Sequence, residues 1–140
     1  FNQGGKILVV SFTPGVNVPA HEEMEKTSLM FVRGLADSLN KPIEDDESRF
    51  RILDAQNADT ADFILEGHIV AMKKSGKLKK IARKNRKYFA IEGKMVDAKS
   101  GDIVVHFTDS KESRKRKESF MDLGLAMGQS FGKFLDSAVE

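Results

Sequence analysis

Apolar residues are spaced in distinct ways along the chain, and each change of spacing marks an element. Lys6 to Phe12 (KILVVSF) is a short continuous run rich in β-branched residues. That pattern predicts a strand covered on both faces, ended by Pro14-Gly15. From His21 to Asn40 the spacing becomes helical, with Met24, Ser28, Phe31, Val32, Leu35 and Leu39 on one stripe. Glu22, Glu23 and Glu25 fall in the first turn, where carboxylates suit the helix dipole, and Asn40 with Pro42 stops the helix. Phe50 to Asp54 (FRILD) then reads as a second strand, so the three segments form a right-handed crossover between parallel strands. The acidic loop Glu44-Asp45-Asp46-Glu47 between them is read as solvated.

Beyond Asp59 the pattern alternates. Ala61 to Met72 sets Phe63, Leu65, Gly67, Ile69 and Ala71 on one face, and Tyr88 to Ala98 does the same with Phe89, Ile91, Gly93 and Met95. Ile103, Val105 and Phe107 continue the alternation past a Lys99-Ser100-Gly101 turn, which predicts a three-stranded antiparallel meander. Ser119 to Glu140 returns to helical spacing with Ser119 as N-cap, and Phe120, Leu123, Met127, Phe131, Phe134, Leu135 and Ala138 form its apolar face. Met121, Leu125 and Val139 widen that face. The expected fold is a two-layer α+β domain spanning residues 1–140. Its sheet is mixed but mostly antiparallel, with one β-α-β crossover, and the helices pack on one face.

Composition narrows the classes. The 140 residues are 40% hydrophobic and include ten Phe, enough for a folded core and too much for a disordered chain. With no Cys there is no disulfide, thiolate metal site or cysteine nucleophile, and no window approaches the roughly 18 apolar residues of a membrane span. The first residue is Phe1 and not Met, so the sequence is expected to be a processed or trimmed product.

The net charge of +2 conceals a strong segregation. Lys73 to Lys87 contains nine basic residues (Lys73, Lys74, Lys77, Lys79, Lys80, Arg83, Lys84, Arg86 and Lys87) and no acid. Lys111 to Lys117 adds Lys111, Arg114, Lys115, Arg116 and Lys117 against Glu112 alone. These 22 residues carry +13, and the remaining 118 carry −11. The long run lies between two strands, at a hairpin tip or in a short helix; its functional reading is a site for polyanions, and its bland one a solvated loop that discourages aggregation. Nine cations without an acid exceed what solubility requires. If the meander pairs regularly, Arg114 to Lys117 emerges at the same end of the sheet, and the two patches merge. Aromatic interleaving is poor and Trp is absent, which argues against stacking on nucleic-acid bases.

Other features have structural readings. Glu66, His68, Glu92, Lys94, His106 and Thr108 collect opposite the apolar stripes, where they suit the solvent face of a sheet better than a metal or proton-transfer site. Gly124, Gly128 and Gly132 recur every four residues in the last helix; each costs about 1 kcal/mol relative to Ala, so close packing against the sheet or the first helix is expected, ahead of the alternative of a protein interface. No phosphate loop, nucleophile elbow or kinase motif is present, and the catalytic, cofactor and metal assignments are none.

Three phrases together carry a resemblance: Lys6-Ile7-Leu8-Val9-Val10-Ser11-Phe12, Ala61-Asp62-Phe63-Ile64-Leu65-Glu66-Gly67-His68-Ile69, and Met95-Val96-Asp97-Ala98-Lys99-Ser100-Gly101-Asp102-Ile103-Val104. They resemble small bacterial cell-envelope lipoproteins of unknown function. More widely they are similar to the amino-terminal domain of TolB, the curli-secretion lipoprotein and the lipoprotein activators of penicillin-binding proteins. The resemblance implies a periplasmic or outer-membrane-associated protein, made with a signal peptide and a lipidated Cys upstream of Phe1, which acts by binding other proteins and has no catalytic residue. Two departures stand out: the link from Asp54 to Ala61 is too short for the helix many relatives carry, and the basic insertion from Lys73 to Lys87 lies outside the common pattern.

The expected function is therefore a non-enzymatic envelope protein that recruits or positions a partner, either another envelope protein or an anionic surface, through these thirteen basic positions other than Lys111. The alternative is a polyanion-binding module for nucleic acid or anionic lipid that uses the same segments. Oligomerisation stays open.

Overall fold

The architecture follows from a computed structural model that describes residues 4–10, 12–15, 22–39, 50–53, 59–75, 86–113 and 118–138. Its elements run β1 (Gly5–Val9), β2 (Thr13–Pro14), α1 (Met24–Leu39), β3 (Phe50–Ile52), β4 (Phe63–Ser75), β5 (Arg86–Asp97), β6 (Ile103–Glu112) and α2 (Phe120–Ala138). They form one mixed sheet in the order β3-β1-β4-β5-β6, with β2 beside β4. β1 lies parallel to both β3 and β4, while β4, β5 and β6 form the antiparallel meander. This is the α+β fold that the spacing predicts, with the β1-α1-β3 crossover in place.

The helices lie side by side and run parallel, since Thr27, Phe31 and Ser38 of α1 meet Gly124, Gly128 and Gly132 of α2 in the same order. A Cβ on Gly128 would strike the Phe31 carbonyl oxygen, and one on Gly132 would come within 2.5 Å of Ser38 Cβ. The glycine ridge is thus the seam of the helix pair, and Ser38 Oγ bridges it by donating to the Gln129 carbonyl at 3.2 Å. Thr27 Oγ1 and Ser28 Oγ are buried in the same layer without a hydrogen-bond partner among the described residues.

One hydrophobic core fills the space between helices and sheet, with Ile7, Leu35, Phe50, Leu65, Ile91, Met95, Phe120 and Met127 among its most buried members. A row of aromatic rings crosses it. Phe12 stacks obliquely on Phe31 at 5.1 Å, Phe31 meets Phe131 at 6.4 Å, and Phe131 meets Phe107 edge-on at 4.3 Å. The Phe107 ring lies over Gly93, where a Cβ would come within 2.6 Å of it, and a Cβ on the paired Gly67 would come within 2.5 Å of the Glu92 carbonyl oxygen. A side chain at Gly93 would displace the ring.

Local departures from the sequence pattern have identifiable causes. The first apolar run is covered on one face only, because both helices pack on the same side: Ile7 is buried, Leu8 is half-buried and Val10 is exposed. The run also breaks. β1 pairs with β4 up to Val9, Val10 N–H donates to Leu65 O, and β2 resumes pairing at Thr13, so that Phe12 turns inward at the interruption. A bulge at Val70 reverses the faces of β4 beyond it, so Met72 and not Ala71 enters the core. A second bulge at Val104 places Ile103 opposite outward-facing Val96, leaving it 56% exposed. Phe134, assigned to the apolar face of the last helix, is 52% exposed; it meets Phe131 edge-on at 5.9 Å and lines a surface recess with Phe107 and Asp109 of β6.

The α2 N-terminus is closed as the sequence suggests. Ser119 Oγ accepts from Asp122 N–H at 3.1 Å, and Asp122 Oδ2 accepts from Ser119 N–H at 2.8 Å, a reciprocal capping box. His21 and the acidic loop 44–47 lie outside the described residues.

Candidate functional site

β4 and β5 pair through Ser75 opposite Arg86, so the hairpin is longer than alternation alone predicts, and its strands take in Lys73, Lys74, Arg86 and Lys87. Lys74 stands opposite Lys87 in the register, and Lys73 opposite Tyr88. Lys73 Nζ lies 5.7 Å from the centre of the Tyr88 ring, a cation–π contact that holds one ammonium near the far end of the paired hairpin. Arg86 forms an ion pair with Glu112 of β6 at 3.6 Å. Lys77, Lys79, Lys80, Arg83, Lys84, Arg114, Lys115, Arg116 and Lys117 lie outside the described residues.

Ser113 is what joins the two basic segments. Its N–H donates to the Lys87 carbonyl at 2.9 Å, and its buried Oγ accepts from Lys87 N–H at 2.9 Å. The residue before Arg114 is therefore tied by two hydrogen bonds to the last residue of the longer basic run. Regular meander pairing thus sets Ser113 beside Lys87 at one end of the sheet. Sequence reasoning counted Glu112 only as a diluting acid and gave Ser113 no role; no charge or spacing signal marks a serine that acts by fastening strand ends.

The opposite end of the sheet differs in charge. The β5–β6 turn carries Asp97 and Asp102, and Asp62 lies beside it, where its Oδ2 accepts from Lys6 N–H at 2.9 Å. Asp97 Oδ1 accepts from the backbone N–H groups of Lys99 and Ser100, both at 2.9 Å, and Gly101 takes the left-handed conformation at φ 78°. The backbone N–H of Ser100, then that of Lys99, hold the Asp97 carboxyl below its ordinary value.

The outward face of the sheet between these ends holds a shallow concavity of about 460 Å³. Glu66 pairs with Lys94 at 3.5 Å, and Glu92 lies between His68 at 3.7 Å and His106 at 3.3 Å. All five side chains are close to half exposed, so these are solvent-screened cross-strand pairs. Among the described residues, no group of three or more His, Asp or Glu is arranged to hold a metal ion.

No protein-family model matches the chain, and no curated protein matches its sequence. Solved structures do share the fold. The PelC dodecamer from Paraburkholderia phytofirmans matches with a TM-score of 0.63 at 11% identity, covering 100% of this chain and 92% of that one. Protein XCC0632 from Xanthomonas campestris, of the DUF330 family, matches at 0.58 and 11% identity over 99% and 86% of the two chains. Lipoprotein GNA1162 from Neisseria meningitidis matches at 0.52 and 14% identity over 92% and 96%. The resemblance to small envelope lipoproteins thus holds at the level of fold: the strands, helices and hairpin it rests on are assembled as in these proteins.

Proposed function

We propose that this chain is a non-enzymatic protein of the bacterial cell envelope that binds and positions an anionic partner through the basic end of its sheet. The observation that carries this reading is the pair of hydrogen bonds between Ser113 and Lys87, which sets the last residue of the longer basic run beside the residue that precedes Arg114. Charges from two segments on one platform act as a single multivalent patch, whereas the same charges on opposite ends would each bind weakly and be screened by salt. Placement in the envelope, periplasmic or associated with the outer membrane, is supported by a fold shared with a Neisseria lipoprotein. Among the described residues no helix is long and apolar enough to cross a membrane.

The leading partner is an acidic surface of another envelope protein; free polyanions and anionic lipid are the competing ligands of the same patch. The test replaces Lys77, Lys79, Lys80, Arg83 and Lys84 with Gln and measures retention on heparin, and binding to vesicles with and without anionic lipid, across a salt series. The reading expects tight, strongly salt-dependent retention by the parent chain and a large loss in the variant. Equal retention of the two proteins would sink it. Selective binding to anionic vesicles alone would move the assignment to lipid. Fractionation of cells expressing the natural precursor tests the location, with a wholly cytoplasmic product counting against it.

A further inference from the structure

β6 is the last strand in the order, so one row of its backbone N–H and C=O groups has no strand beside it among the described residues. An exposed row of this kind is a template for another strand. Most edges are protected by being short, by proline or by bulges, but β6 is ten residues long and contains no proline. Its bulge at Val104 lies near the start and leaves Val105 to Glu112 in regular pairing with β5. The protection left is the side chains of Asp109 and Lys111, with Asp109 Oδ1 accepting from the Ser110 N–H at 2.8 Å, a bond that strand pairing would exchange for one across the edge. Asp109 stands opposite Ile91 and Lys111 opposite Phe89, which places both on the helix-covered side of the sheet, half-buried and one residue either side of Ser110. Among the described residues neither has an ion-pair partner. An arbitrary incoming strand would have to bury these charges uncompensated; a strand bearing the opposite charges at the same places would not.

We propose that the strand which satisfies this requirement is β6 of a second copy of this chain, paired antiparallel about a two-fold axis through Ser110. A two-fold axis normal to the sheet keeps both helix layers on the same side and sets each residue opposite one that shares its face. Centred on Ser110, it brings Asp109 of each copy against Lys111 of the other, giving two identical ion pairs. Centred one residue earlier it would oppose two aspartates, and centred on Thr108 it would pair neither charge. The same antiparallel arrangement turns the basic end of each copy toward the turn end of the other, where Asp97 and Asp102 lie. The overlap runs from Phe107 to Ser113, about 24 Å of strand, less than a standard-sized interface, so the dimer depends on concentration.

The test is a charge exchange followed by sedimentation velocity from about 10 μM to about 1 mM, a range chosen for a micromolar-class complex. The parent chain is expected to shift from monomer to dimer. Asp109→Lys and Lys111→Asp each turn both ion pairs into like-charge contacts and weaken association about tenfold or more. The double variant Asp109→Lys/Lys111→Asp restores both pairs and the parent's affinity. An equimolar mixture of the two single variants is expected to form a heterodimer although neither associates alone, which also excludes misfolding as the cause of the single losses. Amide exchange across residues 107–113 should slow as concentration rises. A parent chain that is monomeric throughout overturns the proposal. So does self-association that all three variants retain unchanged, which would assign it to another surface. Neither result bears on retention by heparin, so the anionic-partner reading stands or falls separately.

Discussion

The two faces of the sheet are built from alternate residues of the same strands, yet they tolerate change very differently. On the helix-covered face the backbone of α2 touches that of α1 through three glycines, the Phe107 ring lies over a fourth, and most apolar side chains are buried. Atoms there have no alternative position, so an added or missing methyl group is felt directly. On the outward face Glu66, His68, Glu92, Lys94 and His106 form pairs that water and salt can replace. The fold is therefore specified from one side, and the other side is free to vary.

That contrast can be broken or sharpened by substitution. The largest effect is expected for Gly128→Ala, whose Cβ meets the Phe31 carbonyl: a loss of about 3 kcal/mol or more, read by urea denaturation. Parent-like stability would mean that the helices can separate at little cost, and would remove the seam as the determinant of the fold. Next comes a pair of apolar truncations. Leu65→Ala empties a fully buried site and should cost about 3 kcal/mol, whereas Ile103→Thr, outward because of the Val104 bulge, should cost less than about 0.5 kcal/mol. Similar losses at the two positions would contradict the register. Glu92→Gln, which removes the acid between His68 and His106, should change stability by less than about 1 kcal/mol, and by less still in high salt.

The smallest effect concerns the turn. Asp97 has a carboxyl pKa lowered from its ordinary 3.8 by the Ser100 and Lys99 amides. A group depressed in the folded state stabilises that state above its unfolded pKa, and the contribution fades as pH falls from near 3.8 through the lowered value. Asp97→Ala should abolish that part of the acid dependence of the β5–β6 turn, measurable as faster amide exchange at Gly101 in the variant at neutral pH. Identical exchange in the two proteins would leave the carboxylate without a role in the turn.

Much of this arrangement was legible beforehand because periodicity reports burial on one face, and the fold is an alternation of buried faces. The meander, the crossover, the Ser119 cap and the glycine ridge all followed from spacing. What escaped was whatever interrupts a period. The bulges at Val70 and Val104 consume one residue each and reverse the side chains beyond them, yet both valines look like ordinary strand residues. Phe134 has helical spacing like its neighbours, yet it is half exposed, which spacing alone does not tell. At the candidate site, charge density pointed to the two basic segments, and regular pairing suggested that they meet. The fastening by Ser113 depends on where β6 stops, which no composition signal marks.

Tyr88 has an optical consequence. It is the chain's sole tyrosine, there is no tryptophan, and it sits near the far end of the paired hairpin with the Lys73 ammonium against its ring. Ultraviolet emission excited near the tyrosine band therefore arises from one point of the molecule, beside the charges that would receive an anionic partner. These 140 residues thus carry one intrinsic emission probe there, with no label to perturb the surface.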